Sequence, residues 1–240
     1  MIKGFYHSID TFGAVDGRGL RYVLFLAGCK LGCIFCHNPD TWEQGHNTIS
    51  VDDVIEDIKR YRRFYDASNG GLTVSGGEPL MQADFVAELF KRCRHEKIHT
   101  TLDTSGYASP DDLKKVLAYS DAVLFSIKAV NELKHKKLTG KKNDVILSNL
   151  CLAASVSTVT IRYVVIPGIN NSHDDILALG SLINNLPSAL SVELLPYHTL
   201  GRTKWDALEK DYLLHEVPAA SEQDIEQVRL WLKEQNINVC

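Results

Sequence analysis

The chain has 240 residues, of which 45% are hydrophobic and 23% charged, enough for one sizeable core and short for two. Its 26 basic residues fall below its 30 acidic ones, leaving a net charge of −4 and no basic excess to pair with nucleic-acid phosphates. No apolar run approaches a membrane span, and Met1-Ile2-Lys3 opens directly into polar sequence, so a cytoplasmic protein without a membrane partner is expected.

The segment up to Arg21 carries Gly4, Gly13, Gly17 and Gly19 with Asp10 and Asp16 among them, and this turn chemistry predicts a loop or hairpin over residues 1–21, laid on the core. Tyr22 to Ala27 is short, apolar and rich in β-formers, and reads as a buried strand. Ser50 can cap a helix whose apolar positions Val51, Val54, Ile55, Ile58 and Tyr61 recur at helical spacing. Strand Gly71 to Ser75, helix Ala83 to His95, strand His99 to Leu102, helix Asp111 to Ala118 and strand Ala122 to Phe125 follow. Helix Asp144 to Ala154, strand Thr158 to Ile166, helix His173 to Asn185, strand Ser191 to Leu195 and helix Ser221 to Glu234 complete the alternation. Strands alternating with helices at this spacing imply parallel βαβ units with right-handed crossovers. About six such units are too few for a closed eight-unit barrel, so the expectation is one α/β domain over 1–240, with a partial, open (β/α)6 barrel over 22–240. In such a sheet the loops at the C-terminal ends of the strands build the active site.

The six cysteines divide unevenly. Cys29, Cys33 and Cys36 follow the first strand, separated by three and by two residues, whereas Cys93, Cys151 and Cys240 are scattered, a pattern that fits a reducing compartment with one metal site. Three soft ligands in a short loop suggest an iron–sulfur cluster with one iron left open. A structural zinc site would need a fourth ligand, which His37, beside Cys36, could supply only through a strained turn. Cys93 and Cys151 lie on predicted helices among apolar neighbours and read as core thiols.

The spacing C-x3-C-x2-C, with the aromatic Phe35 before the last cysteine, is the signature of the radical S-adenosylmethionine enzymes. Its continuation, Cys36-His37-Asn38-Pro39-Asp40-Thr41-Trp42, resembles the pyruvate formate-lyase activating enzymes, a family of glycyl-radical-enzyme activases. The resemblance runs from Phe12-Gly13-Ala14-Val15-Asp16-Gly17 through Ile161-Arg162-Tyr163-Val164-Val165-Ile166-Pro167-Gly168 to Glu193-Leu194-Leu195-Pro196-Tyr197-His198 and Gly201-Arg202-Thr203-Lys204-Trp205. It implies a [4Fe–4S] cluster on Cys29, Cys33 and Cys36 and S-adenosylmethionine at its open iron. An electron from a reduced flavodoxin or ferredoxin would cleave the sulfonium to a 5′-deoxyadenosyl radical, which takes a hydrogen from a backbone glycine of pyruvate formate-lyase. The alternatives are a radical enzyme acting on a small molecule, an activase of a different glycyl-radical enzyme, and a non-catalytic metal-binding or electron-transfer protein.

Further residues are weighed against plainer roles. Gly76-Gly77-Glu78-Pro79 after a strand can be only a turn, yet paired glycines let a backbone approach a ligand and Glu78 can accept from an ammonium group. The resemblance puts this motif at the cofactor's amino group. Asp103 and Thr104 can cap a helix, and the resemblance places them beside S-adenosylmethionine. Lys128 can be a solvated lysine, whereas in related enzymes a lysine here reaches the cofactor. Arg162, inside an apolar strand, needs an anionic partner, either a core acid or a cofactor carboxylate, and the resemblance favours the cofactor. Val164 on the same strand, Phe35, and His198 near the adenosine are carried over as cofactor contacts. Asp16 and His37 are carried over toward the protein substrate.

Two departures stand out. Arg18 stands where the family usually has Pro, and Ser126 stands where it has an aspartate associated, with the residues matching Asp103 and Thr104, with a monovalent cation. A hydroxyl keeps one oxygen donor but removes the charge, so any such cation site is expected to be weakened. No cysteine lies between Asn38 and Gly76, so the ferredoxin-like insertion of several related activases is absent, which favours the pyruvate formate-lyase type.

Overall fold

Side chains alternate along a strand, and that alternation separates an apolar outer layer from a polar lumen. The computed structural model describes residues 2–188 and 191–240. Among them, β1 (Lys3–Gly13), β2 (Arg21–Leu26), β3 (Thr48–Ser50), β4 (Gly71–Gly76), β5 (His99–Thr104), β6 (Ala122–Ser126), β7 (Thr158–Val165), β8 (Ser191–Pro196) and β9 (Asn238–Val239) form one sheet. Its order is β3-β1-β2-β4-β5-β6-β7-β8-β9. Every neighbouring pair from β2 to β9 is parallel, while β1 runs antiparallel to both β2 and β3. The sheet is open, with β3 and β9 as its edges, and matches the expected partial barrel.

The crossovers are α1 (Val51–Ser68), α2 (Ala83–His95), α3 (Pro110–Leu117), α4 (Glu132–Thr139), α5 (Asp144–Val156), α6 (His173–Asn184) and α8 (Glu222–Glu234), with α7 (Arg202–Ala207) between β8 and α8. Ser50, Ser172 and Ser221 start α1, α6 and α8 with reciprocal capping boxes to Asp53, Asp175 and Asp224. Leu72 and Val74, Leu102, Val123 and Phe125, Ile161, Tyr163 and Val165, and Val192 face the helices and form the main core with Val86, Leu89, Phe90 and Leu150. Burying one such aliphatic or aromatic side chain contributes about 1.5–3 kcal/mol. The alternate positions, Ser75, Asp103, Ser126, Arg162 and Leu195, turn into the lumen and line a cavity there. No helix among the described residues is long and apolar enough to cross a membrane.

The structure refines the sequence reading in three places. Residues 3–13 form strand β1, which pairs antiparallel with β2 as one arm of a hairpin, and Gly4 and Gly13 within it are packing glycines: a Cβ there would stand 2.6 Å from Phe85 and 2.5 Å from Val23. The turn is confined to the residues leading into β2, where Gly17 and Gly19 have positive φ. Cys93 is buried as expected, but Cys151 is exposed, since α5 turns Ile146, Leu150, Ala153 and Ala154 inward and leaves position 151 outside. The short helix α4 and strand β9 carry too little apolar periodicity to be read from sequence: α4 buries only His135, Leu138 and Thr139.

Candidate active site

The cavity at the C-terminal rim of the sheet has a volume of about 470 Å³ and brings together Cys29, Cys33 and Cys36 with Gly76, Gly77, Asp103 and Thr104. Phe35, Lys128, Arg162, Val164, His198, Asp16 and His37 also line it. Of the residues assigned to the cluster, cofactor or substrate from the sequence, Glu78 is the one that does not reach the wall.

The cysteine loop is held by its own backbone from three directions. Gly28 and Cys29 donate N–H groups to Thr41 O (2.7 Å) and Trp42 O (3.0 Å), closing the loop on itself. Gly32 and Ile34 donate to Thr139 O (3.1 Å) and Leu138 O (2.9 Å), the last carbonyls of α4, so a helix end that would otherwise lack partners anchors the loop. On the far side, Trp205 Nε1 donates to Cys36 O at 2.9 Å, and Lys204 Nζ lies 2.7 Å from Asn38 Oδ1 and 3.1 Å from Asp40. Trp205 stacks edge-on against Trp42 and Tyr212, and the Tyr197 and Tyr212 hydroxyls are 2.6 Å apart, giving the loop a small apolar core of its own. Burial is the main force pushing the thiols up, Cys29 to about 12 with Glu78 adding to it, and Cys33 to about 11 against the opposing pull of Lys128.

Gly76 and Gly77 are required by the protein's own packing. Gly76 has φ of 111° and its Cβ would stand 2.3 Å from the Leu26 backbone, while a Cβ on Gly77 would stand 2.2 Å from Gly28 O. The motif therefore lets β4 pass close beneath the cysteine loop as well as exposing backbone to the cavity. Glu78 is the buried carboxylate of the motif. It is 1% exposed, Oε1 accepts from Leu80 N (3.1 Å) and Thr104 Oγ1 (2.6 Å), and Oε2 accepts from Ser105 N (2.9 Å) and the Ser105 hydroxyl. Burial raises its pKa, opposed by these donors. Glu78 thus joins the end of β4 to the end of β5 inside the wall and fixes Thr104 and Ser105 at its surface.

Arg162 lies across the cavity floor at 8% exposure. Its Nε donates to Glu193 Oε2 at 2.7 Å, Nη1 stands 3.4 Å from Asp103 and 3.6 Å from Asp16, and Nη2 donates to Val15 O. Core acids partner Arg162 because the β-ladder sets Glu193 directly beside it and the turn before β2 reaches up into the lumen, while Arg162 still lines the cavity. Burial alone would lower its pKa, but Asp103, Glu193 and Asp16 outweigh burial and hold it above the usual arginine value. Asp16 is raised, by burial first and by Asp103, against the attraction of Arg162. Asp103 is further fixed by Ser75 Oγ, which donates at 2.6 Å. Below the floor, fully buried Arg21 donates to Thr73 Oγ1 and Thr101 Oγ1, both at 2.9 Å, and burial pulls it down to about 10.

Lys128 stands with Nζ 5.8 Å from the Phe35 ring centroid, on the same side as Cys33 and Cys36. The exposed rings of His37 and His198 meet edge-on at 4.9 Å, and His37 is lowered by partial burial, by His198 and by Lys204. Ser75, Ser105, Asn38 and Trp42, none of them assigned a role from the sequence, also face the cavity. Ser75 and Ser105 had a legible signal, each lying next to a motif at a strand end.

The chain belongs to the radical SAM superfamily, whose family model matches residues 23–180. It is 41% identical over 234 residues to the pyruvate formate-lyase-activating enzyme of Staphylococcus aureus (strain USA300), covering 94% of this chain and 93% of the relative. A solved domain of a pyruvate-formate lyase-activating enzyme from Bacteroides vulgatus superposes with a TM-score of 0.61 at 25% identity, over 71% of this chain and 98% of that one. Streptococcus suis SuiB bound to its precursor peptide SuiA shares the fold, with a TM-score of 0.68 at 20% identity over 96% of this chain and 49% of that one.

The superfamily uses a [4Fe–4S] cluster and S-adenosylmethionine, and the donor set suits both. Among the described residues no three His, Cys, Asp or Glu side chains converge closely enough for a single metal ion. A cluster instead gives each cysteine a separate iron and so takes thiolates spaced around a cavity, as the three stand here.

Proposed function

We propose that this protein is the activating enzyme of a glycyl-radical enzyme, pyruvate formate-lyase, and that residues 1–240 act as one domain. The observation that carries the reading is a single cavity holding three cysteine thiols, in a chain that matches a pyruvate formate-lyase-activating enzyme across almost all its length. When bound, the cluster and S-adenosylmethionine supply the hard chemistry, reductive formation of a 5′-deoxyadenosyl radical that takes a hydrogen from a glycine of the partner. The electron comes from a flavodoxin or ferredoxin.

The chain's own residues bind, orient and exclude. Cys29, Cys33 and Cys36 hold the cluster, and Lys128 offsets the negative charge that ligation places on them. Thr104, Ser105 and the Gly76–Gly77 backbone offer fixed hydrogen-bonding groups on the wall, held there by Glu78. Asp103 and Arg162 bear on the cofactor's polar end as a preorganised pair, since each is already tied to the fold. Phe35, Val164 and Leu195 supply the apolar surface that keeps water from the adenosine. His37 and His198, at the exposed rim, face the incoming glycine loop.

The test is anaerobic reconstitution and reduction, quantifying 5′-deoxyadenosine and recording the electron paramagnetic resonance spectrum of added pyruvate formate-lyase. A glycyl-radical signal on the partner is expected. Deoxyadenosine without a radical on the partner would refute the activase reading, and no deoxyadenosine under reducing conditions would refute catalysis by this site.

A further inference from the structure

We infer that the lysine-rich segment from α4 to α5 is the docking surface for an acidic one-electron carrier protein. The inference rests on the proposed radical chemistry, which needs an electron delivered from outside. Between Asn131 and Asn143 the chain holds five lysines, Lys134, Lys136, Lys137, Lys141 and Lys142, and one acidic residue, Glu132, although the whole protein is acidic at −4. Lys134 is paired with Asp175 at 2.6 Å and Lys142 with Glu132 at 3.5 Å. Among the described residues, Lys136, Lys137 and Lys141 have no carboxylate within ion-pair distance, and all three are exposed. Concentrating unpaired like charge on one helix end and its exit turn costs self-repulsion, which an acidic partner relieves.

Placement decides which partner. The last carbonyls of α4 are the ones that receive the N–H groups of Gly32 and Ile34, either side of Cys33. Gly32 is exposed, and a Cβ built there would have only Thr139 O nearby, at 3.8 Å, so the cysteine loop comes to the surface beside the lysines. Lys30, also exposed and without an ion pair among the described residues, adds a further positive charge from the loop itself. Leu133 on the first turn of α4 is 70% exposed and offers one apolar contact amid the charge. A small, charge-led interface with little apolar area is the kind that fast electron-transfer encounters use. On docking, one electron leaves the reduced carrier, which is oxidised by one equivalent, and enters the protein's cluster, which is reduced by one; no bond forms or breaks. The glycine-bearing partner is left the approach past His37 and His198.

The test uses the reconstituted protein and the triple variant Lys136→Glu/Lys137→Glu/Lys141→Glu, with Lys136→Gln/Lys137→Gln/Lys141→Gln as the milder form. A control, Lys91→Glu/Lys114→Glu/Lys233→Glu, changes net charge equally at exposed lysines elsewhere. The probes are a purified acidic flavodoxin and, separately, an acidic [2Fe–2S] ferredoxin, with binding followed by titration and deoxyadenosine formation driven either by the reduced carrier or by dithionite. The reversed variant should bind carrier about tenfold or more weakly at low salt, the gap closing as ionic strength rises, while dithionite-driven deoxyadenosine formation stays at the unmodified level. Unchanged carrier binding, equal loss in the remote control, or equal loss under dithionite would each overturn the inference. Failure of the activase reading is told apart because it appears with dithionite in the unmodified protein. If instead the reversed variant loses radical transfer to pyruvate formate-lyase under dithionite, the surface belongs to that partner and the inference fails.

Discussion

Replacing Arg162 by Met removes the one cation on the cavity floor and keeps most of the side chain's volume. Three carboxylates then remain around the vacated position, Glu193, Asp103 and Asp16, which lay 2.7, 3.4 and 3.6 Å from the guanidinium. Their side chains are 26%, 15% and 18% exposed, so solvent screens them only partly. At an effective dielectric of about 20 each pair carries gross attraction of roughly 5 kcal/mol, most of which desolvation cancels. What the substitution exposes is uncompensated buried charge, for which the expected loss of stability is about 3–5 kcal/mol at pH near 8.

The pH dependence follows from the sign. Without Arg162 the attraction that opposes the rise of Asp16 is lost, so its pKa, already raised by burial and by Asp103, moves further above that of the unfolded chain. A carboxyl with a raised folded pKa binds protons more readily in the native state, so the penalty is full at high pH and shrinks as pH falls through the raised values. Anaerobic urea unfolding of both proteins at pH about 8 and about 5.5 reads the difference directly. A loss below about 1 kcal/mol at the higher pH, or one that fails to shrink at the lower, would refute the claim that Arg162 serves chiefly to neutralise its own acids.

Cys29→Ala, Cys33→Ala and Cys36→Ala should each lower iron content and abolish deoxyadenosine formation, whereas Cys93→Ala, in the core between α2 and the sheet, should keep both with only a packing loss; a folded, inactive Cys93→Ala would contradict the ligand assignment. Trp205→Phe removes the donor to Cys36 O and about 1 kcal/mol of loop stability, and should speed iron release to a chelator severalfold with little change in overall unfolding. Equal release rates would show that the Trp205 bond does not restrain the loop. Ser126→Asp adds a fourth carboxylate beside Arg162, its ladder neighbour, and should make the apparent affinity for S-adenosylmethionine depend on which monovalent cation is present, with little preference expected of the unmodified protein. A strong preference already present before the substitution, and unaltered by it, would rule this out.

The order of the longer strands and helices was legible because α1, α3, α6 and α8 carry side-chain caps and α1, α2, α3 and α8 a clear apolar face, signals confined to a few adjacent residues. The cysteine loop and the strand-end motifs were legible for the same reason. Contacts made across the fold were not. Arg162 meets partners from the turn before β2, from β5 and from β8, and a single strand's sequence records only that an anion is needed. Glu78 turned inward because Thr104 and Ser105, at the end of the neighbouring strand, supply its donors. Helix α4 escaped notice since its lysines face solvent and its few inward positions include a histidine and a threonine. Gly4 and Gly13 read as turn residues because their packing reason, Phe85 and Val23, lies outside the local sequence.

Charge is distributed unevenly along the cavity, and the unevenness suits a cationic ligand. At the thiol end Lys128 stands by cysteines that become anionic on ligation. At the floor one guanidinium faces three carboxylates, so the fully ionised set is negative overall, and Asp16 is raised by its burial first and then by Asp103 beside it. A sulfonium cofactor held in this cavity would add a positive charge that offsets the floor's excess, and Arg162, bonded to Glu193 and the Val15 carbonyl, would not need to be displaced. Binding of S-adenosylmethionine should therefore lower the pKa of Asp16, and a carboxyl infrared band followed against pH with and without the cofactor measures the shift. An Asp16 band indifferent to the cofactor would place the sulfonium out of reach of the floor.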